Sequence, residues 1–388
     1  MMHVPVETFP FVMYLDSLFT ENREREVTPL RALPTTLNRL HAQAMREHAR
    51  ENALSYRADE TWCPMPDWRL DRHVIRTALY LRERLEVEPG QRIAIISELL
   101  PEWLIADLAA LGLGAVSVAI DPSLRGEELA DALEDVEPRV TFVTAAIQRK
   151  LDSHGQEAPA YGQLIVLGTA AVGGSLTLTE VLDQGGTLDT PERAQAYRSE
   201  ARSLGPDDPA IQHCRRAPGG GWEVVELSQG GVIERLRAEW AREPALPGDV
   251  SYVSDPIVSL SARLALYAFL GDGYTTTALA SAGRELSDLA AIRPTKIVAP
   301  AAVFEEAVRA GLAGVAAQPN EGGWLSRVQR VAPRSRERSE RRAIREALGG
   351  RARWIASIDP LDRMSAQRLA SVTTVAQEAE LTQEVRYE

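Results

Sequence analysis

"RIAIISELLPEWLIADLAALGLGAVSVAI", residues 92–120, opens on one short apolar run and closes on another. The two runs, RIAIIS (92–97) and AVSVAI (115–120), are too short for helices and lack polar alternation, so they read as strands buried on both faces. Between them Trp103, Leu104, Leu108 and Leu111 recur at helical spacing, and the segment 101–114 ends in glycine. Strand, helix, strand is the repeating unit of a parallel sheet covered by helices.

The same pattern extends outward. SLRGEELADALEDVEP (123–138) reads as an amphipathic helix with a serine cap and a closing proline, and RVTFV (139–143) and QLIVLG (163–168) as strands. A second unit begins near GPDDPAIQHC (205–214). It runs through WEVVEL (222–227), a helix over Val232–Trp240 and a strand in DVSYVSD (249–255). An apolar helix over 259–270, a strand in PTKIVAP (294–300) and a helix over Ala302–Gly311 follow. EALGGRARWIASIDP (346–360) then gives a helix end, a glycine stop and a strand. Polar, glycine-bearing sequence at 169–206 is the natural boundary. The expected class is α/β with two αβα subdomains and mostly parallel sheets. An N-terminal docking segment and helix take 1–50, the first subdomain 51–205 and the second 206–388.

Composition narrows the function. A 388-residue chain with 45% hydrophobic and 25% charged residues is an ordinary soluble protein with a substantial core. A net charge of -12 argues against nucleic acid, whose phosphates need a positive face. Only Lys150 and Lys296 are lysines among 43 basic residues. Cys63 and Cys214 cannot make a disulfide framework and fit a reducing cytoplasm. The start MMHVPVETFPFVMYLDSLF has no basic region or small-residue cleavage site, and Asp16 breaks its apolar run. It reads as a segment docked on the body, with peripheral membrane contact as the alternative. Residues 327–353 hold ten arginines against three glutamates. They read as a solvated helix with Glu337–Arg341 and Arg342–Glu346 pairs, or else as a patch for anionic lipid or an acidic partner.

Several motifs fall away. GLGAVS (112–117) ends a helix and precedes a strand, the reverse of a dinucleotide-binding turn. His41 and His48 share a helix face two turns apart, too far for one metal, and no His or Cys cluster has metal-ligand spacing. Neither a GxSxG elbow nor a GxxxxGK[ST] loop is present. The remaining candidate is CRRAPGGGWEVVELSQGG (214–231), a triple glycine ahead of a strand and helix.

The order of segments from about residue 30 resembles long-chain acyl-CoA synthetases of the AMP-binding, adenylate-forming superfamily. The resembling stretches are 85–124, 207–233, 254–273, 292–308, 344–361 and 378–385. The resemblance implies the fold of the N-terminal part of adenylate-forming enzymes. It implies a chemistry in which an acid attacks the α-phosphate of ATP, and a thiol, usually of coenzyme A, then takes the acyl group. Such chemistry needs hydroxyls and free N–H groups around the phosphates, a lysine and an acidic Mg²⁺ ligand.

This sequence departs from that pattern. Against a family loop of the form YTSGTTGxPKG stand Arg215, Arg216, Ala217, Pro218, Gly219, Gly220, Gly221, Trp222 and Glu223. Pro218 removes a backbone donor, Trp222 holds the lysine position and Glu223 the following glycine. A carboxylate about 4 Å from a phosphate charge costs on the order of 4 kcal/mol at an effective dielectric near 20. Where the family has GYGLTE this chain has EAELTQ (378–383). Thr382 is kept, but Ala379 replaces the stacking aromatic, Glu380 the glycine and Gln383 the Mg²⁺-binding glutamate. In the helix after SDP, Ser259 holds a position often occupied by histidine, while Arg263 matches. The resemblance places a ribose-binding aspartate and a mobile C-terminal domain with its lysine beyond Glu388, so the chain is expected to be a C-terminally truncated member.

Three readings follow. The first is a catalytically inactive relative kept as a binding, scaffold or regulatory subunit, with a protein partner or oligomer, no catalytic residue, no metal and no cofactor. The second is a fatty acid–CoA ligase with a remodelled site or one completed by another chain, using ATP, Mg²⁺ and coenzyme A. The third is an acyl or acyl-CoA sensor.

Overall fold

The computed structural model describes residues 34–153, 161–168, 173–216, 222–242, 245–254, 257–273, 275–280, 283–317 and 333–377. Two seven-stranded sheets form its frame. In the first sheet, β3 (Arg92–Ile96) lies between β4 (Val116–Ala119) and β5 (Val140–Val143). β6 (Gln163–Val166) and β7 (Leu176–Thr177) extend it on one side, β8 (Pro209–Arg216) and β9 (Trp222–Ser228) on the other. All neighbours are parallel except the β8–β9 pair. The second sheet orders β14 (Thr374–Gln377), β13 (Trp354–Ser357), β12 (Lys296–Ala299), β10 (Val250–Val253), β11 (Thr276–Leu279), β1 (Leu54–Ala58) and β2 (Thr61–Met65). It too is parallel except for its terminal β1–β2 hairpin.

Strand alternation assigns each face. Ile93 and Ile95 of β3 join the core between the sheets, whereas Ala94 and Ile96 face the opposite way. On the second sheet Val298 and Ala356 join that central core, and Ile297, Ala299 and Ile355 face outward. The central layer is supplied by α2 (Asp67–Leu85), α3 (Pro101–Gly112) and α9 (Leu260–Gly271), with Trp103 fully buried, and α8 (Gln229–Arg242) packs against α9. Outside the first sheet lie α4 (Glu127–Val136) and α5 (Ala145–Ser153). Outside the second lie α10 (Glu285–Ile292), α11 (Ala301–Ala317), α12 (Pro333–Ala347) and α13 (Arg363–Ala370). The result is five alternating layers sharing one central core. Each fully buried Leu, Ile or Phe contributes roughly 1.5–3 kcal/mol relative to exposure.

The 92–120 unit folds as its pattern predicts, and the α/β class with mostly parallel sheets holds. Three expectations need correction. The sheets do not follow a division at 205/206, because β8 and β9 pair into the first sheet while the hairpin at 54–65 completes the second. The polar stretch at 169–206 is not an open boundary. It holds β7, α6 (Leu178–Leu188) and α7 (Pro191–Ser203), with α6 packed along α2. Gly185 meets the α2 backbone there, for a Cβ would lie 2.2 Å from the Arg76 carbonyl oxygen. The helix expected from Ser123 begins only at Glu127, after Gly126. Asp121 Oδ1 instead accepts the Ser123 N–H at 2.7 Å and holds 121–124 in a turn.

Residues 333–347 of the arginine-rich segment form α12, and Arg341 pairs with Glu337 at 2.5 Å as expected. No ion pair joins Arg342 to Glu346. Glu340 instead takes Arg336 at 3.0 Å and Arg368 of α13 at 2.9 Å. Among the described residues no helix is long and apolar enough to cross a membrane.

Candidate functional site

In parallel α/β sheets, ligands gather beyond the carboxyl ends of the strands. The candidate loop stands at such an end. β8 runs beside β4, with Ile211 opposite Ser117 and His213 opposite Ala119, then turns back as the outermost strand β9. Register places Arg215 opposite Glu223 and Arg216 opposite Trp222. Ala217, Pro218, Gly219, Gly220 and Gly221 lie outside the described residues, as do the side chains of Arg215, Arg216, Trp222 and Glu223. The second motif begins just past β14, the outermost strand of the other sheet. Its Ala379, Glu380, Thr382 and Gln383 also lie outside the described residues.

Both lysines are placed and neither stands on the hairpin. Lys150 of α5 donates to the Pro122 carbonyl at 3.0 Å. Lys296 opens β12, is 2% exposed and lies 3.5 Å from Asp249 Oδ2, with its ammonium 5.8 Å from the Phe269 ring centre. Asp249 also takes the Arg353 guanidinium and the Thr295 hydroxyl.

Arg263, matched to the family from sequence, belongs to a closed ionic cluster. Its Nη2 donates to Asp107 Oδ1 at 2.5 Å and to Ser117 Oγ at 2.7 Å, and its Nε to Tyr267 Oη at 2.8 Å. Tyr267 in turn donates to Asp107 Oδ2 at 2.8 Å. Burial works against the guanidinium charge, but Asp107 and Tyr267 raise its pKa; burial also pushes the Tyr267 phenol well up. The cluster ties α9 to α3 and β4, and it has no sequence signature because Asp107 is 156 residues from Arg263. Ser259 is the N-cap of α9, yet its hydroxyl is buried without a hydrogen-bond partner. Among the described residues no three His, Cys, Asp or Glu side chains could hold a metal ion.

A cavity of about 490 Å³ lies elsewhere, between α1 (Leu37–His48), α2 and α7. His41 lines it, and burial holds its imidazole down to about 4, so it is neutral at pH 7. Its Nε2 has no hydrogen-bond partner, and its ring meets Tyr267 edge-on at 5.9 Å. The His48 side chain lies outside the described part.

The frame has the fold of the N-terminal part of adenylate-forming enzymes. Residues 67–212 match the family model described as AMP-binding enzyme. The chain is 27% identical over 241 residues to the long-chain-fatty-acid–CoA ligase FadD15 of Mycobacterium bovis, covering 60% of this chain and 38% of that protein. The Mycobacterium tuberculosis ligase of the same name matches with the same figures. The chain thus spans well under half the length of these curated relatives. Among solved structures, the N-terminal domain of FACL13 from M. tuberculosis superposes with a TM-score of 0.63 at 16% identity, covering 89% of this chain and 75% of that one. The adenylation domain of a carboxylate reductase from Mycobacterium chelonae gives 0.66 at 18%, covering 94% and 58%. The chain shares the fold of these adenylation domains and is similar in sequence, over 60% of its length, to long-chain fatty-acid ligases.

Proposed function

We propose that the chain is a non-catalytic acyl-CoA synthetase-like protein acting as a binding or scaffold subunit of a complex in the cytoplasm. The observation that carries this reading is the fate of charge at the phosphate loop. Tryptophan and glutamate occupy the lysine and glycine positions, and the chain's two lysines are engaged at Pro122 and Asp249. A carboxylate that replaces a glycine at a phosphate site opposes nucleotide binding. The residues present therefore do not fit Mg-ATP. Val224 of the outermost strand β9 is 48% exposed, which supports a partner chain at that edge.

The paired arginines 215 and 216 favour the alternative of a remodelled ligase, because guanidinium groups bind phosphate bidentately. Calorimetric titration with Mg-ATP, with pyrophosphate release measured over a panel of fatty acids, separates the two. The scaffold reading expects neither binding nor release. Turnover that vanishes in Arg215→Ala/Arg216→Ala would overturn it.

A further inference from the structure

The cavity beside α1 is remote in sequence from the hairpin motif and is built by other elements. Ala42 and Met45 reach it from α1, Leu70 and Val74 from α2, and Leu108 and Leu270 from the central helices, so its wall is mainly apolar. Trp68 also lines the space and is 64% exposed, which puts a flat indole at its mouth. A volume near 490 Å³ falls within the roughly 300–1,000 Å³ of small-molecule sites.

One polar group on this wall has no use in the fold. Tyr197 of α7 borders the cavity and is 5% exposed. It is seated against the end of α3, where Gly112 carries no side chain: a Cβ there would lie 1.9 Å from the Tyr197 hydroxyl oxygen. Among the described residues that hydroxyl makes no hydrogen bond. Burial pushes the phenol's pKa up, with Asp71 adding to it, so the hydroxyl keeps its proton and stands as a donor. A buried hydroxyl without a partner is costly, and a phenylalanine would fill the same place without that cost.

The charges around the cavity are already met. Arg50 grips Asp67 through Nε and Nη2, both at 3.0 Å, and Arg198 meets Asp71 at 2.6 Å. Arg46 is exposed to solvent, and the Arg202 guanidinium reaches the exposed Ser199 hydroxyl at 3.4 Å. An anionic guest would bring its charge beside two carboxylates whose arginines are engaged. A pure hydrocarbon would leave the Tyr197 hydroxyl unanswered. Trp68 and Met45 favour a ring, because an indole stacks on aromatic faces and a thioether makes favourable contacts with them.

We propose that this cavity binds a neutral aromatic molecule carrying one oxygen acceptor, with its ring between α1 and α2 and its oxygen taking the hydrogen bond of the Tyr197 hydroxyl. The site stands whether or not the hairpin region takes nucleotide.

The test titrates the full chain with 2-naphthol, using naphthalene as the control without oxygen and 2-naphthoate as the anionic control. Saturable one-to-one binding of 2-naphthol is expected, at least about fivefold tighter than naphthalene, the scale of one neutral hydrogen bond, and tighter than 2-naphthoate. Tyr197→Phe should erase the preference over naphthalene and leave Tm unchanged or raised, because the hydroxyl it removes has no partner among the described residues. Ala42→Trp and Ala201→Trp fill the space from α1 and α7, so failure of one variant to fold leaves the other to report; each should abolish binding and the 2-naphthol-induced rise in Tm. No saturable binding, equal affinity for 2-naphthol and naphthalene, or tighter binding of 2-naphthoate would each overturn the proposal. So would a preference that survives Tyr197→Phe, a marked loss of Tm in that variant, or binding that survives the filled cavity.

Discussion

At the scale of single residues, buried charge shows how far the two halves depend on each other. Arg263 and Asp107 use almost all of their polar atoms on one another, on Tyr267 and on Ser117. Removing one partner strands a carboxylate in a dry layer. Arg263→Met should therefore lower the unfolding free energy by about 3–5 kcal/mol in urea titrations, while the double variant Asp107→Leu/Arg263→Met loses less than the sum of the single changes. His41 gives a pH signature. Burial, with Arg50 adding to it and Asp107 and Asp67 opposing, holds its folded-state pKa at about 4, below the ordinary 6.5. Between those values the unfolded chain binds a proton that the folded chain refuses. Stability from this group is thus complete above pH 6.5 and is lost as pH falls towards 4, a change on the order of 3 kcal/mol. Urea midpoints measured from pH 7 to 4.5 should fall for the native chain, and His41→Phe should flatten that slope. The sequence marked Arg263 and His41, but their partners stand too far along the chain for spacing to identify.

Elements were legible where a local period existed. Double-buried runs such as 92–97 declare themselves, and so does a helical stripe such as 101–114. The helices of 178–203 were missed because polar residues and glycines dominate them, although their starts are written in the sequence. Thr177 and Glu180 make a capping box, and Thr190 caps a helix with Pro191 at its first position. Two glycines of α11 provide a test of packing against propensity. A Cβ on Gly311 would lie 2.8 Å from the backbone nitrogen of Ile344 in α12, whereas one on Gly314 meets nothing within 4 Å. Gly311→Ala should destabilise by about 1–3 kcal/mol by forcing two helices apart. Gly314→Ala should be neutral or stabilising by up to about 1 kcal/mol. Thermal melts of the two variants should move in opposite directions or differ by several degrees.

For the whole molecule, the core between the sheets binds the two units together. Ile93 and Phe142 of the first sheet share it with Val253, Val298 and Ala356 of the second. A cut at 205/206 would take β8 and β9 from the first sheet and leave the hairpin of 54–65 apart from the second. The isolated fragment 51–205 should therefore lack a cooperative melt by circular dichroism, and limited proteolysis of the intact chain should not yield it as a stable product.

Sequence alone determined the α/β class, the 92–120 unit and the chemical character of the 214–231 segment, because local periodicity and side-chain chemistry are properties of neighbouring residues. Tertiary structure decided which strands share a sheet, where the two lysines stand and that α1, α2 and α7 enclose a cavity. Those outcomes rest on contacts such as Arg50 with the carbonyls of Leu270 and Thr275, at separations of 220 and 225 residues. No local pattern encodes such a contact; burial of the shared core selects it.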